Sequence, residues 1–61
     1  MPTLTLDGPP ITDVDKKRTL VKTMTAAAAQ YYDLPEATIV VVIKENRAEN
    51  VGVGGLLVAD R

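Results

Sequence analysis

The chain has 61 residues, 46% hydrophobic and 25% charged, with a formal net charge of -1 and no cysteine or histidine. Disulfide staples and the common zinc ligand sets are thereby excluded, and two tyrosines with scattered cations exclude the basic, stacking surface of a nucleic-acid binder. A domain this short buries only about 60% of the surface its unfolded chain exposes, so self-association is the support that remains.

Thr3 to Asp7 alternates polar and apolar residues, with Leu4 and Leu6 on one face and Thr3 and Thr5 on the other. This is the period of a half-buried strand. Gly8-Pro9-Pro10 ends it, because prolines lack the donors a ladder needs. From Asp13 to about Tyr32, Val14, Val21, Met24, Ala28 and Tyr31 fall on one stripe, widened by Leu20 and Ala27, and predict a helix. Its polar face is basic early, at Lys16, Lys17, Arg18 and Lys22. Thr12 or Asp13 can accept from the first-turn amides, and Asp15 favours the positive end of the helix dipole. Pro35 disfavours helical geometry at Leu34 and so sets a stop near Asp33.

Thr38 to Glu45 contains five consecutive β-branched aliphatics and predicts a central strand buried on both faces. A strand, one helix and a second strand make a parallel pair with a right-handed crossover. Ile39, Val41 and Ile43 point one way and Val40 and Val42 the other. One helix covers one face, so a second subunit is expected to cover the other.

From Glu49 to Val58, glycines alternate with aliphatics, which suits a short hairpin with a positive-φ turn. Gly52-Val53-Gly54-Gly55 lacks the full dinucleotide fingerprint, and the six residues after it are too few for a phosphate-receiving helix. The expected fold is one α+β domain over residues 1–61: a β-α-β unit with parallel strands, one long helix and a short C-terminal β-hairpin. No segment reads as a signal peptide or approaches the ~20 apolar residues of a membrane span. The expected location is the cytoplasm, with no membrane partner.

The side-chain inventory limits the chemistry. Without Cys, His or Ser there is no thiol or serine nucleophile and no imidazole to serve as base or metal ligand. Asp13 and Asp15 read as helix-start partners, and Glu45 and Glu49 as solvated charge. What remains is Pro2. Methionine is generally removed before so small a residue, leaving a secondary amine. An α-amino group titrates near ~7.7 to 8.0, close enough to working pH for general-base chemistry. The bland alternative is a proline that merely precedes a strand.

Met1-Pro2 before a short strand, Lys17 with Thr19-Leu20-Val21 in the helix, Ile43 to Glu45 ending the second strand and Gly52-Val53-Gly54-Gly55 stand in an order that resembles the 4-oxalocrotonate tautomerase family. The likeness spans nearly the whole chain. It implies an oligomeric tautomerase-like fold, dimers whose strands join into a larger sheet, and usually a homohexamer built as a trimer of dimers. It also implies an isomerase whose processed Pro2 shifts a proton between the enol and keto forms of a small unsaturated 2-oxo acid, with no cofactor and no metal. In the family, cations from neighbouring chains hold the acidic substrate.

This sequence departs from the family at three positions: Thr12 and Val40 stand where the family has arginines, and Val51 where an aromatic usually walls the pocket. A dicarboxylate-like substrate is correspondingly less expected. Lys44, Arg47 and Arg61 are the cations left as candidate substrate ligands. The alternative is a non-catalytic scaffold or interaction module of the same fold.

Overall fold

The computed structural model describes residues 1–61. Strands β1 (Thr3–Gly8) and β2 (Val40–Glu45) pair in parallel, in register from Thr3 opposite Val40 to Gly8 opposite Glu45. Helix α1 (Val14–Tyr32) makes the connection. The ladder extends beyond both ends: the Val40 amide donates to the Pro2 carbonyl (3.0 Å) and the Asn46 amide to the Gly8 carbonyl (2.8 Å).

Of the two capping candidates, Asp13 takes the role. Its carboxylate accepts from the amides of Asp15 and Lys16 at 2.9 and 3.4 Å, meeting two of the orphan donors every helix start carries. The stop near Asp33 holds, but Asp33 itself makes it: the residue is left-handed (φ 56°, ψ 50°), and its amide and that of Leu34 both donate to the Ala29 carbonyl. Pro35 instead opens a 3-10 turn, Glu36–Thr38.

That turn shortens the second strand, which was expected from Thr38. The Thr38 hydroxyl donates to the Pro35 carbonyl (2.7 Å), and β2 starts two residues later. Nor is β2 central in one chain, since β1 is its sole partner and both strands are therefore edges. The hairpin is as expected. β3 (Gly52–Val53) and β4 (Leu56–Leu57) are antiparallel, and Gly54 and Gly55 have φ of 61° and 87°, the positive pair a two-residue type I′ turn requires.

Ile43 packs beside Val14, Val21 and Lys17 of the helix, and Glu45 pairs with Lys17. Period 2 therefore puts Val41 on the helix side too, with its register partner Leu4, while Leu6 joins Ile43. The opposite face carries Val40 and Val42 between Thr3 and Thr5, and ends in Asp7 opposite Lys44. It is less greasy than β2 alone suggested, because β1 contributes threonines.

Little of this is buried. Ala28 alone falls in the buried class, at 6% exposure, while Val14 and Tyr31, on the expected apolar stripe, are 55% and 83% exposed. A helix of 19 residues is about 28 Å long, whereas six-residue strands reach about 20 Å, so the helix overhangs its sheet. The chain is a slab of 43 × 25 × 13 Å with 4746 Å² of accessible surface; a compact monomer of its mass would expose about 3,800 Å².

Candidate active site

The parallel register sets Gly8 opposite Glu45, so the loops leaving the two strands lie side by side. Between them is a cavity of about 360 Å³. The first loop supplies Asp7, Gly8, Pro9 and Pro10, the second Asn46 and Ala48, and the base of the hairpin Val51 and Val58. Side-chain tethers fix its shape. The Asn46 side-chain amide donates to Asp7 Oδ1 while its backbone amide holds Gly8. Beside them, Glu45 accepts from the Ile11 amide (2.5 Å) and from Lys17 Nζ (2.6 Å), joining strand, loop and helix. The Lys17 ammonium, then the Ile11 amide, hold the Glu45 carboxyl below the usual carboxylate range, outweighing desolvation.

Pro2 heads β1 at the opposite end, half-buried. Its carbonyl is engaged by Val40, and its nitrogen carries Met1, which is 88% exposed. Lys44 is opposite Asp7 on the open sheet face, with no carboxylate in ion-pair reach. Arg47 pairs through Nε with Glu49. Arg61 ends the chain, its amide bonded to the Val58 carbonyl (3.2 Å). Asp7 lies five positions after Pro2, about 16 Å along an extended strand, so a single chain does not bring Pro2 together with Lys44.

Asp7 and Asn46 were not singled out from the sequence. They are 39 positions apart, and only the strand register makes them neighbours on the cavity wall. Thr12 and Val40 do not line this cavity, whereas Val51 does.

A family model described as tautomerase enzyme matches residues 2–61. The chain belongs to the tautomerase family. Its structure superposes on DmpI from Archaeoglobus fulgidus at a TM-score of 0.86 and 47% identity, covering 97% of this chain and 100% of that one. YwhB, a homologue of 4-oxalocrotonate tautomerase, matches at a TM-score of 0.90 and 30% identity, with 98% of each chain covered. A heterohexamer 4-oxalocrotonate tautomerase from Chloroflexus aurantiacus J-10-fl matches at 0.86 and 28% identity, over 98% of this chain and 97% of that one. No curated protein matches the chain. Membership supports an isomerase-type function for this tautomerase, and the β-α-β unit with its hairpin is the family's fold.

Proposed function

We propose that this tautomerase interconverts the enol and keto forms of a small unsaturated 2-oxo acid, with Pro2, freed by removal of Met1, as general base. The observation that carries the reading is the family match from Pro2 onward, with Pro2 half-buried at the tip of a strand. While Met1 is attached, the Pro2 nitrogen is an amide and cannot take a proton. Once free, it accepts the enol O–H proton as the C=O bond forms, and returns it to the carbon that receives the C=C electron pair. No electrons leave the substrate and no cofactor is called on.

The substrate's carboxylate needs a cation. Lys44 is the first candidate, because it lies on the open sheet face and is unpaired, whereas Glu49 already neutralises Arg47; Arg47 and Arg61 are the reserves. With Pro2 remote from Lys44 along its own strand, the reading requires copies to share sites, one giving Pro2 and another the Lys44 edge and its cavity. The slab's excess of roughly 900 Å² over a compact monomer matches the ~800 Å² each partner gives to a standard interface. We favour a homohexamer arranged as a trimer of dimers, working in the cytoplasm on an acidic small molecule, without membrane or nucleic-acid partners.

The test is ketonisation of phenylenolpyruvate by wild type and Pro2→Ala. A general base contributes ~10² to 10⁴-fold, so the variant should lose at least about a hundredfold in kcat; equal rates remove Pro2 from the mechanism. Thr12 and Val40 in place of arginines favour a second reading, a module that kept the oligomer and lost the chemistry. It predicts no Pro2-dependent turnover of any enol and a native subunit mass that still includes Met1.

A further inference from the structure

The cavity between the strand ends is half open, and Pro9, Pro10, Ala48, Val51 and Val58 line it with side chains without charge or donors. Its volume of about 360 Å³ falls in the range of small-molecule sites, ~300 to 1,000 Å³. Asp7 and Asn46 are its only lining residues with polar side chains. Asp7 accepts from the Asn46 amide through Oδ1 alone, leaving Oδ2 without a donor from the protein. None of the lining residues is a cation. Lys44 is across the ladder from Asp7 and is not in the cavity wall.

A substrate anchored through one carboxylate at Lys44 therefore directs the rest of its chain toward apolar walls and one carboxylate. Apolar tails gain from that wall by losing contact with water. A second carboxylate meets Asp7 with no cation in the cavity wall to offset either the repulsion or its own lost hydration, since Lys44 is occupied by the first.

We propose that this enzyme selects 2-oxo acids with a single carboxylate and an apolar tail, and that Asp7 is the residue that turns away diacids. The proposal rests on the function proposed above for the placement of the substrate, but its readout is binding and not turnover.

Calorimetric titration of the processed oligomer with phenylpyruvate and with 2-oxohexanedioate decides it. Wild type should bind phenylpyruvate at least roughly tenfold more tightly, the size of a modest like-charge penalty. In Asp7→Asn, which keeps an oxygen acceptor for Asn46, the ratio of the two affinities should shrink by about the same factor. Val51→Lys, which places a cation in the wall, should shift the ratio the same way if Asp7→Asn fails to fold. The proposal is overturned by a diacid that binds wild type as tightly as phenylpyruvate, by a ratio that neither substitution changes, or by the absence of binding for both ligands. Pro2→Ala keeps the two readings apart. If it retains turnover, the general-base assignment fails while the binding ratio still judges Asp7.

Discussion

The Glu45 side chain joins three parts of the chain, accepting from Lys17 on the helix and from Ile11 in the loop that leads to it. Both lining strands of the cavity end where this carboxylate anchors. Its carboxyl is held below the ordinary range by those two donors, so the contact stabilises the fold fully above the ordinary glutamate value of ~4.3 and is lost as pH falls through the lower, folded value. Glu45→Gln should therefore unfold more easily than wild type at neutral pH and show a flatter loss of stability in acid. Urea midpoints taken across pH 3 to 7, roughly the span below and above that value, check this; parallel acid limbs for the two proteins would remove Glu45 from the account. Both partners' side chains are 30% exposed, so salt should weaken the effect.

Single elements owe their limits to backbone geometry. The two-residue hairpin loop works because Gly54 and Gly55 accept positive φ, which a side chain resists by ~1 to 2 kcal/mol per residue. Gly55→Ala should cost about that much stability without changing the β1–β2 ladder, measurable as a lowered denaturation midpoint with unchanged helical circular dichroism. Space is not the obstacle, since nothing lies within 4 Å of where a Cβ would stand at Gly55. At the far end of the helix, Asp33 holds the same left-handed region with less ease than glycine would. Asp33→Gly should raise the midpoint, by up to ~1 kcal/mol, and an unchanged or lowered midpoint would show that the Asp33 side chain contributes more than its backbone strain costs.

As a whole, the subunit is a slab whose sheet has one covered face and two open edges. Val42, 38% exposed, lies on the uncovered face. Val42→Lys changes a solvent-facing residue of the lone chain, so its harm should appear in assembly: a smaller mass by light scattering and a melting temperature lower and less dependent on protein concentration. A Val42→Lys protein that keeps wild-type mass and melting would mean that this face is not where copies meet.

The sequence by itself determined the elements and their order. Alternation marked β1, the 3.6-residue stripe marked α1, the β-branched run marked β2, and the glycine pair marked the hairpin, because each signal is local and its period is set by backbone geometry. Pro2 came forward from the order of motifs along the chain and the family they resemble, and its role as base remains a proposal. Local signals could not pair Asp7 with Asn46 or Glu45 with Lys17, nor show that threonines of β1 dilute the valines of the open face, since those facts come from the register between strands far apart in the chain. Tertiary structure also decided that α1 overhangs its sheet and that one chain buries almost nothing, because burial depends on how lengths and faces match in space.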